Sequence, residues 1–214
     1  ANRATLTTGR PQFGFEGALT GLDVRQGVIS VGPGGLDATE QQQLDIIARG
    51  LLVEGDVFTQ KLQAIIGANQ VVYGTLQATP QTGSGDAPRF AIDIKDLGGM
   101  HAGQIYLIAT DKGLGVNSTG RMSTLAGNLV LSANGELTLK DSYSAQDMLL
   151  AGAGQTTLTG QTLAQGKVRI DSPVQLLNSG ALQAATLELN TPRIDNRGSI
   201  AQTAPGAHMA LDLP

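Results

Sequence analysis

Three aspartates, Asp93, Asp96 and Asp111, lie close in the sequence to Arg89 and Lys95. Carboxylates beside basic side chains can bind calcium and acidic sugars, and parallel β-helical enzymes that cleave acidic polysaccharides use such a face. Each of these aspartates also neighbours turn residues, where Asp is common because its side chain bonds to the local backbone. We therefore predict no catalytic residue. A polysaccharide lyase or hydrolase is kept as the alternative to the non-enzymatic function that we favour below.

Glycine-rich motifs are equally weak as binding sites. In residues 160–168, five residues separate the two glycines where a phosphate-binding loop has four, and Val168 replaces the hydroxyl residue that holds magnesium. Residues 113–120 lack the glycine spacing of a dinucleotide-binding fingerprint. Residues 32–37 carry one copy of a calcium-binding turn that functions in successive copies. All three motifs are interpreted as turns.

Two histidines and one sequon complete the candidate residues. His101 and His208 fall in different repeats and lack the local spacing of metal ligands. Residues 117–119 match an N-glycosylation sequon but coincide with a turn motif described below. The sequence therefore predicts no metal ion and no cofactor.

The composition excludes several classes of protein. The 214 residues include 29 glycines, three tyrosines, four phenylalanines and no cysteine, and the net charge is −4. An acidic chain without runs of Lys or Arg has no electrostatic footprint for nucleic acid or anionic membranes. The absence of cysteine excludes disulfides and thiolate zinc sites. With so few rings, the core must be filled by aliphatic side chains, which suits thin, regularly stacked layers.

Short apolar triads recur at nearly constant intervals from residue 129 onward. They begin at Leu129, Leu149, Val168 and Leu187, and residues 209–211 continue the series. Repeats of roughly 20 residues with several strands and no helix predict an all-β parallel β-helix. Its coils would stack about 4.8 Å apart, and about ten coils would form a rod roughly 50 Å long.

An Asn-Gly motif accompanies the triads at residues 177–182 and 194–200, with looser copies at 116–122 and 131–137. Because Asn and Gly tolerate positive φ, the motif predicts a corner between two strands. A leucine-rich repeat shares the period but requires a fixed Asn and a helix in each repeat, and here glycines fill the segments that would be helical.

The first half of the chain is less regular. Residues 38–48 fit a short helix, since Asp37 and Glu40 have capping-box spacing. They also fit further coils, with strands at 44–48, 51–53 and 62–66, and we favour this interpretation after Gln43. We expect residues 1–11 to form one strand and residues 79–89 to form a loop or hairpin projecting from the rod. Other short strand-like runs lie at residues 28–31, 71–73, 90–94 and 105–108.

Three stretches resemble a known family. They are residues 1–9, ANRATLTTG; residues 44–71, which contain LDIIAR and KLQAIIGANQV; and residues 98–116, GGMHAGQIYLIATDKGLGV. They are similar to the haemagglutination-activity region of two-partner-secreted exoproteins, which include filamentous haemagglutinins and contact-dependent growth-inhibition proteins. The resemblance covers most of residues 1–135, and residues 136–214 resemble the start of the long repeat shaft of those proteins, continuous with the first part.

This resemblance implies a right-handed parallel β-helix (solenoid) with short extra-helical loops or hairpins. It implies a non-enzymatic part of a secreted, cell-surface adhesin or toxin-delivery filament of a Gram-negative bacterium. The implied partners are the periplasmic domains of an outer-membrane transporter and, for the full-length protein, a receptor on a target cell. The Asn-Pro-Asn motif of the family is absent, and the resemblance places it upstream of Ala1, so we expect a downstream fragment of the secretion domain. A pure carbohydrate-binding module is a third hypothesis, although seven aromatic residues leave few stacking platforms.

Overall fold

The computed structural model describes residues 2–205 and 210–212, and in these residues the chain is all β without a helix. It has 25 strands, of which 21 form one continuous sheet and four form a separate antiparallel sheet. In chain order they are β1 (Arg3–Thr7), β2 (Arg10–Phe13), β3 (Leu19–Val24), β4 (Val28–Val31), β5 (Leu36–Ala38), β6 (Gln43–Ala48), β7 (Gly50–Val53), β8 (Asp56–Ile66), β9 (Asn69–Val72), β10 (Ala78–Pro80), β11 (Ile92–Ile94), β12 (Gly99–Ala109), β13 (Val116–Thr124), β14 (Leu129–Ala133), β15 (Leu137–Ser144), β16 (Met148–Gly152), β17 (Thr156–Leu158), β18 (Gln161–Ala164), β19 (Lys167–Asp171), β20 (Leu176–Asn178), β21 (Ala181–Ala184), β22 (Thr186–Asn190), β23 (Ile194–Asn196), β24 (Ser199–Gln202) and β25 (Ala210–Asp212).

The continuous sheet winds into a parallel solenoid with three stacks of strands. The first stack runs β1, β6, β8, β12, β14, β16, β19, β22, β25. The second runs β4, β7, β11, β13, β15, β17, β20, β23. The third runs β5, β8, β12, β13, β15, β18, β21, β24. Strands β8, β12, β13 and β15 pass around a corner and belong to two stacks each, and there are about nine coils rather than the ten expected.

The core is a single column of aliphatic side chains inside the solenoid. Alternate residues of each strand point inward, as in β14, where Leu129 and Leu131 are fully buried and Val130 between them faces outward. The column extends from Val31 to Leu189 and consists of Val, Leu, Ile, Ala and Met side chains. The composition-based prediction of an aliphatic, regularly stacked core is therefore confirmed.

Glycine and asparagine form the corners between the second and third stacks, as predicted at residues 177–182 and 194–200. The physical reason differs from the prediction, because neither Gly180 nor Gly198 has a positive φ. A Cβ at Gly180 would lie against the carbonyl oxygen of Gly160, and one at Gly198 against the carbonyl oxygen of Gly180. Successive corners approach too closely for a side chain. Asn178 Nδ2 also donates to Asn196 Oδ1 of the next coil at 2.8 Å.

The predicted strands at 129, 168 and 187 are confirmed as β14, β19 and β22, whereas the triad at Leu149 is one residue out of register. Leu129 pairs with Met148, and Leu149 pairs with Val130 on the outward side. Met148 is therefore the inward residue of its coil and continues the column. Of residues 209–211, Met209 lies outside the described residues.

The helix considered for residues 38–48 is wrong, and the alternative strands are confirmed as β6, β7 and part of β8. Asp37 caps a turn, because its Oδ1 accepts bonds from the Thr39 amide at 2.9 Å and the Thr39 hydroxyl at 2.7 Å. The apparent helical spacing arises in β6, where Leu44 and Ile46 face the column and Ile47 is buried on the opposite side. A strand covered on both faces loses its alternation. No helix of the described residues could span a membrane.

Candidate interaction surfaces

A four-stranded antiparallel sheet covers the outer side of the first stack over its early coils. Its order is β10, β9, β3, β2, and we call it the flanking sheet. Leu22, Val24 and Val71 of this sheet pack on Ile47 and Ile65 of the solenoid. The flanking sheet therefore has its own small core, built on outward residues of the first stack. Residues 1–11 divide between the two sheets, since β1 pairs with β6 and β2 pairs with β3.

A buried carboxylate joins the start of the chain to this region. Asp45 is fully buried on the outward side of β6, and it forms an ion pair with Arg3. The Gln43 amide donates to its other oxygen at 2.7 Å. Arg3 also donates to the Tyr73 carbonyl at 3.2 Å and lies over the Tyr73 ring at 4.8 Å. Because a buried charge requires a partner and hydrogen bonds, these contacts determine where β1 and residue 73 lie.

A second buried ion pair fixes the connection that follows the flanking sheet. Arg49 is 8% exposed, and its Nε lies 3.2 Å from Asp111 Oδ2. Its Nη1 donates to the Ser84 carbonyl at 2.8 Å and the Gly85 carbonyl at 3.2 Å. Asp111 Oδ1 accepts a bond from the Ala68 amide at 2.6 Å. The pair and its hydrogen bonds thus connect four segments that are distant in sequence, at residues 49, 68, 84–85 and 111.

Residues 79–89 were predicted to project from the rod, and the structure shows instead that they lie against it. Pro80 ends strand β10, and Gly83 lies under the Arg49 guanidinium, where a Cβ would come within 2.8 Å of Nε. The Ser84 amide donates to the Arg25 carbonyl at 2.9 Å. A polar loop is held here because its carbonyl groups bind the buried arginine.

The carboxylates expected of a polysaccharide lyase are distributed among separate contacts. Asp93 pairs with Lys95 at 2.6 Å and accepts a bond from the Asn117 amide at 2.8 Å. Asp111 pairs with Arg49, and the Arg89 guanidinium lies 5.2 Å from the Phe90 ring. Asp96 lines a separate surface depression beside His101 and Lys140. In residues 2–205 and 210–212, no group of three His, Asp or Glu side chains could hold a metal ion.

The glycine motifs are structural. Within residues 160–168, β18 and β19 are strands of the third and first stacks, and the turn between them leads into Val168 as interpreted. Gly113 has a φ of 79° in the turn before β13, and Gly35 has a φ of 73° in the turn before β5. Residues 117–119 of the sequon lead into the corner of β13, as the turn motif predicted, since the register shifts between Ser118 and Arg121 and a Cβ at Gly120 would lie against the Gly98 carbonyl oxygen.

His101 belongs to a hydrogen-bonded group on the third stack, whereas His208 lies outside the described residues. His101 Nδ1 is 2.7 Å from Ser123 Oγ, and Nε2 is 3.3 Å from Asp56 Oδ1. The Phe58 and His101 rings stack with centroids 5.1 Å apart. These residues lie on consecutive coils and are far apart in the sequence, so their spacing in the sequence does not predict that they meet.

An Asp–His–Ser series resembles a hydrolase triad in connectivity, but catalysis also requires backbone donors aimed at an oxyanion. Strand β13 pairs with β12 along one edge and with β15 along the other. Its amide groups near Ser123 are therefore engaged in the two ladders. The arrangement positions the His101 ring and presents polar groups to solvent, which is suited to binding.

One carboxyl of the flanking sheet has a shifted pKa. The Gln81 amide donates to Asp23 Oδ1 at 2.6 Å, and this bond holds the pKa of Asp23 below its usual 3.8. Arg25, 3.1 Å from the same oxygen, acts in the same direction. The bond ties the start of the loop after β10 to β3.

Sequence reasoning missed Arg3, Asp45 and Arg49. The one available signal was charge within an apolar run, since Asp45 and Arg49 flank Ile46, Ile47 and Ala48. Charged residues in such runs are buried only when paired, but the partners are distant in sequence and became evident only in the fold.

Comparisons with known proteins agree with this architecture. The family model described as TPS secretion domain, where TPS denotes two-partner secretion, matches residues 1–139. A crystal structure of the filamentous hemagglutinin secretion domain superposes with a TM-score of 0.56 and 25% identity, covering 97% of this chain and 59% of that chain.

Two curated relatives illustrate the sequence similarity. The tRNA nuclease CdiA-2 of Burkholderia pseudomallei strain 1026b is 44% identical over 144 residues, covering 67% of this chain and 5% of the relative. The 16S rRNA endonuclease CdiA of Enterobacter cloacae subsp. cloacae is 33% identical over 230 aligned positions, covering 97% of this chain and 7% of the relative. The chain thus spans a small fraction of the length of these proteins.

Proteins of this kind are secreted through the outer membrane to the surface of Gram-negative bacteria. The family match covers more than half of the chain, and 97% of the chain superposes on the solved haemagglutinin secretion domain. This chain therefore belongs to the TPS secretion-domain family of CdiA-like and filamentous-haemagglutinin-like exoproteins.

Proposed function

We propose that this chain acts as a non-enzymatic secretion module of a long exoprotein, an adhesin or a contact-dependent toxin-delivery filament. In this proposal the periplasmic domains of an outer-membrane transporter recognise it. The observation that supports the proposal is the family match over residues 1–139, which include the whole flanking sheet. Binding of a target-cell receptor is assigned to the full-length protein.

The names of the relatives support a role in a shared step. They include a tRNA nuclease, a 16S rRNA endonuclease and a toxin, and the solved structure is a haemagglutinin secretion domain. A segment common to proteins with different activities is suited to a step that all of them undergo, and secretion is such a step. In this proposal, the nuclease activities in those names belong to other parts of those proteins.

We assign the transporter contact to residues 1–135 and the start of the shaft to residues 136–214. The two parts are continuous, since β15 pairs with β13 of one and β17 of the other. Each new coil buries its inward side chains on the coil before it. Folding outside the cell would then oppose backward movement of the chain through the pore without consuming ATP.

The flanking sheet offers a face rather than an edge for this contact. Its edge strands β2 and β10 contain Pro11 and Pro80, which lack the amide donor that strand addition requires. Exposed aromatic side chains lie at the end of β2 and two residues beyond it, with Phe13 63% exposed and Phe15 fully exposed. Exposed aromatic groups are frequent anchors of protein interfaces.

Surface plasmon resonance with the immobilised periplasmic domains of the transporter tests this proposal. We expect Phe13→Ala and Phe15→Ala together to weaken binding at least tenfold, and Val174→Ala, which changes an exposed apolar side chain on a late coil, to leave it unchanged. If the unaltered chain does not bind these domains, the assignment is wrong.

A further inference from the structure

On the outer surface of the third stack, side chains from consecutive coils form an outer column, which is distinct from the aliphatic column of the core. One of these side chains is small. Phe58, His101, Ser123, Tyr143 and Leu163 are paired in register on consecutive coils. The Phe58 and His101 rings stack along the outer column with an interplanar angle of 21°. Ser123 interrupts the outer column, so a slot opens above it between His101 and Tyr143.

The spacing of the coils leaves room for one ring. Because adjacent coils are about 4.8 Å apart, the backbones at His101 and Tyr143 lie about 9.6 Å apart along the outer column. The His101 imidazole reaches toward Ser123, since its Nδ1 lies 2.7 Å from Ser123 Oγ, so a ring above Ser123 would contact His101 on one side and Tyr143 on the other. His101, Ser123 and Tyr143 line one concavity of about 360 Å³, with the 73% exposed Leu125 also in its lining. That volume is sufficient for a small ligand.

Two polar side chains lie beside the slot, on the same strands as Ser123 and Tyr143. Arg121 and Asp141 pair in register, two residues before Ser123 and Tyr143. The exposed Arg121 guanidinium makes no hydrogen bond or ion pair to another residue of the part of the chain that the structure describes. Asp141 Oδ1 accepts a bond from the Gln161 amide at 2.9 Å, which leaves Oδ2 available to a ligand. A hydrogen-bond donor and an acceptor thus stand together beside an aromatic slot.

We propose that this slot binds one neutral sugar ring of a glycan. The apolar faces of the ring would contact His101 and Tyr143, while its hydroxyl groups would accept from Arg121 and donate to Asp141. A neutral ligand fits because the charges of Arg121 and Asp141 balance each other. An aromatic side chain of a protein partner would fill the slot but would make no use of these two polar groups. The inference is independent of the secretion role.

Amide chemical-shift mapping by NMR tests the proposal on the intact chain. The probes are the methyl glycosides of glucose, galactose, mannose and N-acetylglucosamine, each titrated separately. For a single ring of about a dozen heavy atoms, we expect a Kd on the order of 1 mM for at least one probe. The shifted amides should centre on Ser123 and on its paired neighbours.

Variants separate the slot from the surrounding surface. Ser123→Leu, which fills the slot, and Tyr143→Ala, which removes one wall, should each weaken binding at least tenfold. Arg121→Gln changes an exposed side chain and should weaken binding without affecting the fold. This variant therefore tests the proposal even if Ser123→Leu does not fold. Tyr106→Ala changes a tyrosine of the first stack and should leave binding unchanged.

Three results would overturn the proposal. The first is the absence of localised shifts for all four glycosides at 20-fold above the expected Kd. The second is binding that survives Tyr143→Ala and Arg121→Gln. The third is a response to p-cresol alone, which would identify the slot as a receptor for an aromatic side chain of a protein.

Discussion

At the level of single residues, two ion pairs, each with a buried member, connect segments that the solenoid repeat does not join. Arg3 and Asp45 connect β1 to β6, and Arg49 and Asp111 connect the end of β6 to the connection after β12. A pair of this kind loses hydration on burial, so it adds little net stability compared with apolar residues, but removing one partner leaves an uncompensated charge. These residues are therefore expected to be sensitive to substitution.

Replacement of Arg49 tests this expectation. Arg49→Ala removes the partner of Asp111 and the donor to the Ser84 and Gly85 carbonyls. We expect a loss of about 3 kcal/mol in the free energy of unfolding, measured by urea denaturation. Protease cleavage within residues 81–90 should also become faster, because the loop loses its anchor.

The matched control is Arg197→Ala. Arg197 pairs with Asp195 at 3.3 Å but its side chain is 80% exposed, so the change should remain within about 0.5 kcal/mol. Equal losses of unfolding free energy in Arg49→Ala and Arg197→Ala would show that burial of the Arg49 pair does not determine the effect of the substitution.

Asp23 provides a prediction on pH dependence. Its folded pKa lies below 3.8 because of the Gln81 bond, so its contribution to stability is present above pH 3.8 and is lost as the pH falls through the lower folded value. Gln81→Ala should raise the pKa of Asp23 toward 3.8 and reduce the loss of stability in that acidic window. NMR titration of the Asp23 carboxyl measures the shift. Gln77→Ala changes a glutamine four residues before Gln81 that has no hydrogen bond to Asp23, and it should leave the titration unchanged. An unaltered pKa in Gln81→Ala would refute the assigned cause.

At the level of elements, the corners depend on close approach between coils. Gly180→Ala would place a methyl group against the carbonyl of Gly160, in a stack of corners that includes Gly198. Overpacking of this kind costs about 1–3 kcal/mol, so thermal denaturation should show a clear fall in Tm. Gly34→Ala serves as the control, because no heavy atom lies within 4 Å of its Cβ position, and its effect should be within about 0.5 kcal/mol. A similar Tm for the two variants would contradict the account of the corners.

The later coils were predictable from the sequence because each strand there has one buried face. Leu129, Val168 and Leu187 stand at the repeat of the column, and alternation marks their strands. Strand β6 was harder to recognise as a strand, because Ile47 is buried beneath the flanking sheet and apolar residues therefore occupy both of its faces. The flanking sheet itself was not predicted, since it pairs β3 with β9, which are far apart in the sequence, and its strand β2 is exposed throughout.

The candidate surfaces were less predictable than the fold. His101, Ser123 and Asp56 meet only because the register of β8, β12 and β13 aligns them. No local spacing in the sequence encodes that register; it follows from the lengths of the intervening turns. The same limitation applied to Arg49 and Asp111, which lie in separate coils and are joined only by the fold.

At the level of the whole molecule, the coils stack in register around one aliphatic column. Each coil contacts its neighbours, so stability accumulates by addition of coils and the same interface is repeated along the rod. This regularity explains how a chain with seven aromatic residues and no cysteine maintains a core. It is also the physical basis of the proposed role in secretion.

Disulfide trapping tests this stacking most directly, because the chain has no native cysteine. Val130 pairs with Leu149, and Leu149 pairs with Arg169, so Val130 and Arg169 are separated by two coil steps, about 9.6 Å. Cysteines bridge only when their Cα atoms lie within about 7 Å. We expect rapid oxidation of Val130→Cys/Leu149→Cys, measured by mass spectrometry under mild oxidant, while Val130→Cys/Arg169→Cys stays reduced. Equal oxidation of both pairs, or preferential bridging of the second pair, would contradict the parallel, in-register solenoid.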